Sequence, residues 1–176
     1  MKLSAATVAD LGDYFDHVQR HFRESGQEGD FIFHPVPDFE KWEKEKMCQE
    51  LEKKWTAPLT QPWERAWILR DGNLIVGHSM LRGGFLPARL HRCLYSIGLE
   101  RGARGQGFGR ALTLACRQWA ATEARLDWID LRVFSHNKPA RKLYESLGFE
   151  YVGETKDDFR VNGQSIDDIH MVLRLK

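Results

Sequence analysis

The sequence lacks the features that mark secreted, metal-bound or membrane proteins. Its three cysteines are odd in number and widely spaced, with no CxxC pair or His/Cys cluster, so they predict free thiols and no metal site. No apolar run approaches the roughly 20 residues of a membrane-spanning helix, and the N-terminus has no basic-then-apolar signal pattern. We therefore expect a cytoplasmic protein with no membrane partner.

An excess of charge of one sign is also missing. The 26 basic and 25 acidic residues give a formal net charge of +1. Nucleic-acid binding usually depends on excess positive charge, so the chain as a whole gives no reason to expect a nucleic-acid partner. Any anion site must be local. We expect a monomer or a homodimer, and the sequence does not distinguish the two.

Apolar residues, by contrast, are plentiful. They make up 42% of the 176 residues, and aromatic residues make up 11%. A chain of this length can bury about 70% of its unfolded surface. No repeat, low-complexity run or flexible linker divides the sequence, so we expect a single domain over residues 1–176.

The N-terminal part predicts two amphipathic helices. Thr7-Val8-Ala9-Asp10 is close to a capping box, and apolar residues recur at helical spacing as far as Phe22. Residues 31–37 predict a proline-stiffened, extended connection. A second helix is expected to be capped by Asp38 and to run to Trp55.

From about residue 65 the pattern changes to strands that alternate with helices and turns. The predicted elements are two antiparallel strands around Asp71-Gly72-Asn73, a strand over 92–100, a helix after a glycine-rich turn, a strand over 128–134, a helix over 139–147, and a hairpin around Asn162-Gly163. Together they predict a mixed α/β domain built around one sheet.

The glycine-rich turn within 99–112 carries the clearest chemical signal. Its glycines are Gly105, Gly107 and Gly109. Glycine lets the backbone approach a ligand closely, and the free N–H groups and dipole at a helix start favour an anion. Positive charge is concentrated here by three arginines: Arg101, Arg104 and Arg110. The turn therefore predicts a phosphate site, and a pyrophosphate fits it better than a carboxylate.

The turn has three other interpretations: an exposed loop, a phosphate loop and a dinucleotide fingerprint. An isolated GxG is as often an exposed loop as a ligand site. The sequence has no GxxxxGK[ST] phosphate loop. Neither GxG run, starting at Gly105 or Gly107, is followed by the third small residue of a dinucleotide fingerprint. Both competing nucleotide motifs are therefore weak.

Two motifs resemble the GNAT superfamily of N-acetyltransferases. The acetyl-CoA loop of that family reads Arg/Gln-x-x-Gly-x-Gly/Ala, which Arg104, Gly107 and Gly109 match. Residues 135–149 resemble its Asn-x-x-Ala-x-x-Leu-Tyr-x-x-x-Gly-Phe signature. The resemblance covers about residues 65–175.

The resemblance implies a fold and a cofactor. The fold would be a central mixed sheet of about six to seven strands flanked by about four helices, splayed between the fourth and fifth strands. Acetyl-CoA would be the acyl donor, with its pantetheine arm lying between the splayed strands like an extra strand.

The resemblance also implies residue roles. The backbone N–H near Leu99 would donate to the thioester carbonyl, Asn137 would contact the cofactor arm, and Tyr144 would protonate the departing thiolate as a general acid. The cofactor loop would comprise Arg104, Gly105, Gln106, Gly107, Phe108, Gly109 and Arg110.

Purely structural roles are alternatives to these catalytic and binding roles. Tyr144 could be a helix tyrosine packed on the sheet, and Asn137 could be a helix N-cap. The general base is left open, because a water relay would need no residue. The chemically suitable groups are Glu100, His136 and His78. Residues 30–34, Trp42 and Trp55 could line the acceptor site or belong to the core.

The function expected from the resemblance is transfer of an acetyl group to a primary amine, such as an amino acid or polyamine, by direct attack in a ternary complex. A protein N-terminal or lysine acetyltransferase is an alternative, and so is a non-catalytic acetyl-CoA-binding module. A small-amine enzyme should be closed by residues 26–37, whereas a peptide acceptor needs an open groove. The sequence does not identify the acceptor.

Overall fold

Helices and strands alternate along the chain around one large sheet. The computed structural model describes residues 1–36 and 38–176, and this part contains four α-helices and seven strands. The helices are α1 (Leu11–Arg23), α2 (Lys44–Thr56), α3 (Phe108–Thr122) and α4 (Lys138–Ser146). The strands are β1 (Lys2–Ala5), β2 (Trp63–Asp71), β3 (Leu74–Gly83), β4 (Arg92–Leu99), β5 (Trp128–Phe134), β6 (Glu150–Val161) and β7 (Gln164–Arg174).

The strand order in the sheet is β1-β2-β3-β4-β5-β7-β6. Strands β4 and β5 are parallel, and the other neighbouring strands are antiparallel. The hairpin between β6 and β7 turns on Asn162 and Gly163, whose φ angles of 50° and 77° suit a tight two-residue turn. The predicted mixed sheet of six to seven strands with about four helices is confirmed.

The parallel pair opens along its length. Pairing of β4 with β5 begins at Arg92 opposite Trp128 and ends at Tyr95 opposite Leu131. Both strands continue beyond this point, to Leu99 and Phe134. The carboxyl ends of the two strands therefore enclose a gap, and the predicted splay between the fourth and fifth strands is confirmed.

Helices cover both faces of the sheet. Successive strand residues point to opposite faces. In β2, Trp67 belongs to the buried cluster that contains Leu112 and Cys116 of α3, whereas Ile68 packs with Tyr14 of α1. Helix α3 thus covers one face, and α1 covers the other together with α2. Full burial of an aliphatic side chain contributes about 1.5–3 kcal/mol, so both layers hold the sheet in place.

The N-terminal region differs most from the sequence-based predictions. Strand β1 was not predicted. The capping box at Thr7 is present, with its N–H donating to Asp10 Oδ2 at 2.7 Å, but it opens a short 3-10 turn before α1. The predicted cap at Asp38 is wrong: this residue has φ 59°, and α2 begins only at Lys44. Pro37, the end of the predicted extended connection, lies outside the described residues.

Other features of the described residues bear on the compositional predictions. All three cysteines are free, with Cys93 and Cys116 buried and Cys48 partly buried. Across residues 1–36 and 38–176, no helix is long and apolar enough to cross a membrane. The same residues form no group of three or more His, Cys, Asp or Glu side chains suited to a metal ion.

Candidate functional site

A cavity of about 1120 Å³ runs through the gap in the sheet. At one end it meets the glycine turn before α3, and in its middle it is lined by the ends of β4 and β5. At the other end it lies between the sheet, α1 and residues 30–36. The cavity therefore joins two compartments on either side of the splayed strands.

The glycine turn presents open backbone to this cavity. Gly105 and Gly107 have φ of 73° and 83°, a region that strains other residues, and a Cβ on either would meet nothing within 4 Å. Gly107 precedes the first turn of α3, whose N–H groups have no partners within the helix. The turn thus has both the space and the donors for an anion.

Gly109, Gln106 and Phe108, the other residues of the turn, are held in place by neighbouring groups of the protein. A Cβ on Gly109 would lie 3.1 Å from Leu143 Cδ2, so glycine at 109 allows α3 to approach α4. Gln106 folds back, with Nε2 donating to the Gly102 carbonyl at 2.7 Å. Phe108 is half-buried against the main core. Gly109 lines the cavity, whereas Gln106 and Phe108 shape the turn without lining it.

The two arginines of the predicted loop are placed differently. Arg110 is exposed on the first turn of α3, and within residues 1–36 and 38–176 its side chain makes one long contact, 3.4 Å, to Ser146 Oγ. The Arg104 guanidinium pairs instead with Asp30, at 2.7 Å, and with Glu24. The charge of Arg110 therefore has no carboxylate partner among the described residues, whereas the charge of Arg104 is already neutralised by two carboxylates.

At the end of β4, the Leu99 N–H has no hydrogen-bond partner among the described residues. The Glu100 N–H donates to the Val76 carbonyl at 3.0 Å. Because adjacent residues of an antiparallel strand point their backbone groups to opposite sides, the Leu99 N–H points away from β3 and toward β5. Pairing with β5 has already ended there. Arg104 Nε donates to the Leu99 carbonyl at 2.8 Å, which fixes this residue.

Tyr144 of α4 lines the cavity although its side chain is buried. Its relative exposure is 6%, and its ring packs 5.7 Å from Phe149 and 6.3 Å from Tyr95. Burial raises the pKa of the phenol, so the hydroxyl keeps its proton near neutral pH. Within the described part of the chain, no hydrogen bond engages that hydroxyl. The proton is thus available to a group in the cavity.

Asn137 caps α4 and lines the same cavity. Its side-chain oxygen accepts from the Ala140 N–H at 3.2 Å. The cap uses the oxygen and leaves the two amide donors, so capping and ligand contact are compatible in this geometry.

The second compartment is lined mainly by aromatic residues. Phe33 stacks on His21 at 4.6 Å, and His34 stacks on Phe22 at 3.5 Å. His136 donates from Nε2 to the Ile32 carbonyl at 2.7 Å, which ties residues 30–36 to the end of β5. Of the aromatic positions that sequence left open, Phe31, Phe33 and Trp42 line the cavity. Trp55 instead belongs to the core, 5.3 Å from Tyr14.

Histidines meet at the point where the two compartments join. A Cβ on Gly98 would lie 2.6 Å from both His21 Cδ2 and His78 Cε1, so only glycine fits beneath these rings. Burial lowers the pKa of His21 to about 3, and it lowers the pKa of His78 well below its usual value. His78 was a sequence candidate, but His17 and His21 were missed. Their spacing of four residues on α1 was the available signal.

Comparison with known proteins identifies the family. The chain has an open α/β sheet whose one parallel pair splays beside a glycine turn. It belongs to the acetyltransferase (GNAT) family, whose model matches residues 27–149. The resemblance to this family is confirmed.

Among curated relatives, the L-amino acid N-acetyltransferase AaaT of Escherichia coli is 32% identical over 101 residues, which is 57% of this chain and 62% of that protein. The uncharacterized N-acetyltransferase YycN of Bacillus subtilis is 40% identical over 93 residues, 52% of this chain and 59% of that protein. The matches thus span about three fifths of the length of these relatives.

Solved structures share the fold over the whole chain. A GNAT-family acetyltransferase from Streptococcus pneumoniae has a TM-score of 0.82 at 18% identity, covering 98% of this chain and 99% of that one. The putative acetyltransferase yncA of Salmonella typhimurium, solved with acetyl-CoA, has a TM-score of 0.80 at 15% identity, covering 99% and 94%. At these identities the comparison establishes the fold.

Proposed function

We propose that the chain transfers an acetyl group from acetyl-CoA to a primary amine of a small molecule, by direct attack in a ternary complex. The observation that carries the proposal is a continuous cavity. It connects the glycine turn with the second compartment through the gap at Leu99. A donor held at the turn and an acceptor held under α1 would meet at that gap.

Donor binding would use backbone more than side chains. The N–H groups after Gly105 and Gly107 would receive the pyrophosphate, and Arg110 would add a charged donor. The pantetheine arm would lie in the gap and pair with the free backbone groups at the end of β4. The open space above Gly107 supports this placement.

The chemical step needs three contributions from the chain. The amine nitrogen attacks the thioester carbon, and its electron pair forms the new C–N bond while the carbonyl electrons move onto oxygen. The Leu99 N–H stabilises that oxygen. When the C–S bond breaks, the electron pair leaves with sulfur, and Tyr144 donates its proton to the thiolate. An ammonium acceptor first loses one proton to a base, and after attack the nitrogen loses a second proton, which replaces the one that Tyr144 gave to the thiolate.

A small acceptor is favoured over a peptide because residues 30–36 cover the second compartment. Asp30, Phe31, Phe33 and His34 all line it. The relative AaaT is named as an L-amino acid N-acetyltransferase, which supports an amino acid or a similar small amine as the acceptor. A protein substrate would require this segment to open.

The direct test is release of free coenzyme A from acetyl-CoA with a panel of amines. The panel contains L-amino acids, spermidine, and peptides with a free N-terminus or lysine. We expect turnover with a small amine. Turnover with peptides alone would favour the protein acetyltransferase. Binding of acetyl-CoA without turnover of any amine would favour the non-catalytic module.

Donor binding is tested separately by thermal unfolding. A ligand that binds only the folded state stabilises it by about 2.7 kcal/mol at one hundred times its dissociation constant. Acetyl-CoA should therefore raise the melting temperature, while ATP and NADH should raise it less. A larger shift with ATP than with acetyl-CoA would contradict the assigned donor.

A further inference from the structure

Three side chains form a hydrogen-bonded chain that starts at the cavity and leads away from it. His17 Nε2 lies 2.9 Å from His78 Nδ1, and His17 Nδ1 lies 2.7 Å from Glu100 Oε1. His17 has no exposed surface, and the Glu100 side chain is 16% exposed. The chain therefore connects the cavity with a carboxylate that reaches solvent.

The carboxylate sets the direction of these hydrogen bonds. Burial alone would raise the pKa of Glu100, but hydrogen bonds from His17 and Arg20 outweigh burial and hold that pKa below its usual value. An ionised carboxylate only accepts, so the proton of His17 is on Nδ1. With neutral rings, His17 Nε2 then accepts from His78 Nδ1–H. The free lone pair of His78 is on Nε2.

That lone pair lies beside the reacting position of the proposed transfer. His78 lines the cavity, and its ring edge lies against Gly98, one residue before Leu99. Across the described residues, no hydrogen bond engages His78 Nε2. The nitrogen that the tautomers leave basic is therefore the one that can meet an incoming amine.

We propose that His78 is the catalytic base of the transfer, and that His17 and Glu100 are positioning residues that relay its proton. The proposal rests on the proposed function. The ammonium N–H bond breaks, its electron pair stays on the amine nitrogen, and the proton binds His78 Nε2. The Nδ1 proton of His78 moves to His17 Nε2, and the Nδ1 proton of His17 moves to Glu100. After product release the transfers reverse, and cavity water takes the proton.

The relay avoids a buried cation. Burial lowers the pKa of His78, so this ring is a poor place for a lasting positive charge. Concerted transfer leaves both rings neutral and cancels the ammonium charge against the Glu100 carboxylate. The titratable rings packed against His78 are Tyr14, His17 and His21 of α1, and the strand residues opposite it are Ile68 and Gly98.

The kinetic test uses His78→Gln with the amine that the panel shows to react fastest. General-base help is worth about 10²–10⁴-fold in rate, so kcat/KM at neutral pH should fall by that range. The variant can use only free amine, so its kcat/KM should rise about tenfold per pH unit up to the pKa of the amine. The wild type should change far less over this range. An unchanged kcat or pH profile would overturn the proposal.

Two further variants separate a relay from a structural role. Glu100→Gln cannot accept the proton and should reproduce the pH dependence of His78→Gln, with the KM for acetyl-CoA unchanged. His91→Gln replaces an exposed histidine and should match the wild type. If His78→Gln does not fold, His78→Ala with added imidazole replaces it, because imidazole in the vacated space should restore rate. A folded His78→Ala that imidazole does not rescue would overturn the proposal.

The hydrogen-bond directions can be tested without any acceptor. Long-range ¹H–¹⁵N correlation spectra of the histidine-labelled protein should show His17 and His78 as neutral rings with the proton on Nδ1. A proton on His78 Nε2 in the free protein would overturn the proposal, whatever the panel shows. If no amine reacts but the tautomers are as expected, the proposed function fails and the hydrogen-bonded chain stands. The two failures are therefore distinguishable.

Discussion

At the scale of single residues, Tyr144 has two properties that the sequence presented as alternatives. It is packed like a core residue, yet it lines the cavity with a hydroxyl that no described residue engages. Tyr144→Phe removes only that hydroxyl, so stability and acetyl-CoA affinity should change little. Loss of general-acid help should lower kcat by about 10²–10⁴-fold. Steady-state kinetics with calorimetry of cofactor binding measures both.

Tyr95 supplies a matched control. It is also a buried tyrosine, but its hydroxyl is 2.8 Å from Thr113 Oγ1. Tyr95→Phe should therefore cost about 0.5–1.5 kcal/mol of stability and leave kcat unchanged. If Tyr144→Phe behaves in the same way, with normal turnover, Tyr144 is a packing residue.

Gly107 permits a second comparison at this scale. Gly107 and Gly163 have φ of 83° and 77°, and a Cβ on either would meet nothing within 4 Å. Replacement by alanine should cost both about 1–2 kcal/mol, because both adopt the left-handed conformation. Only Gly107→Ala should weaken acetyl-CoA binding, since Gly163 lies at the tip of the last hairpin. Equal affinities of the two variants by calorimetry would remove the glycine turn from the site.

At the scale of elements, ion pairs connect residues 30–36, the segment that covers the second compartment, to the glycine turn. Burial raises the pKa of Asp30, but Arg104 and Arg101 outweigh it and hold that pKa below its usual value. Asp30→Asn removes these charge-assisted bonds. We expect the segment to loosen and the KM for the amine to rise several-fold, with acetyl-CoA affinity unchanged. Steady-state kinetics at fixed saturating acetyl-CoA measures this effect.

The pair between Arg23 and Glu40 serves as the control for Asp30. Both side chains are more than half exposed, and exposed pairs contribute about 0–1 kcal/mol. Glu40→Gln should therefore leave both Michaelis constants unchanged. Arg104→Ala should resemble Asp30→Asn. If Arg104→Ala instead weakened only acetyl-CoA binding, its side chain would have a phosphate role that its ion pairs do not suggest.

Elements with local signals were predictable from sequence. Strand β5 has the predicted bounds, and α4 begins one residue before the predicted Pro139, because a proline start and a glycine end are local properties. Strand β1 has only four residues and no alternating pattern of its own. Its conformation depends on pairing with β2, more than 60 residues away.

In the site, too, the parts with local sequence signals were predictable and the contacts between distant residues were not. The glycine turn and the Asn137 to Tyr144 signature are continuous in sequence. The partners of Arg104 are Glu24 and Asp30, 80 and 74 residues away, so no local pattern indicated that its charge was already neutralised. The histidine chain likewise joins α1, β3 and the residue after β4. Only packing of α1 on the sheet brings these groups together.

At the scale of the whole molecule, buried histidines should make stability depend on pH. Burial lowers the pKa of His21 to about 3 and of His34 to about 4, and it lowers that of His78. Each is neutral when folded and binds a proton when unfolded below about pH 6.5. Their contribution is thus full above pH 6.5 and is lost as pH falls, by about 1.4 kcal/mol per pH unit for each ring.

Urea unfolding between pH 7 and pH 5 measures this slope, above the range in which carboxylates titrate. In His21→Asn the slope should be smaller by about 1.4 kcal/mol per pH unit, the equivalent of one proton. Stability that stays constant over this range would mean that the folded protein takes up protons at these sites as readily as the unfolded chain.

The opening between β4 and β5 has one more consequence for the protein without its ligand. It leaves two strand edges inside the sheet, and unpaired edges are templates for pairing with another chain. Amides at Ile97 and Leu99 should exchange with solvent deuterium readily until acetyl-CoA occupies the gap, and slowly afterwards. Ligand-free samples should also aggregate faster on storage than saturated ones. The acetyl donor would then complete the sheet as well as react. The rate of aggregation on storage would therefore depend on how much of the protein has acetyl-CoA in the gap.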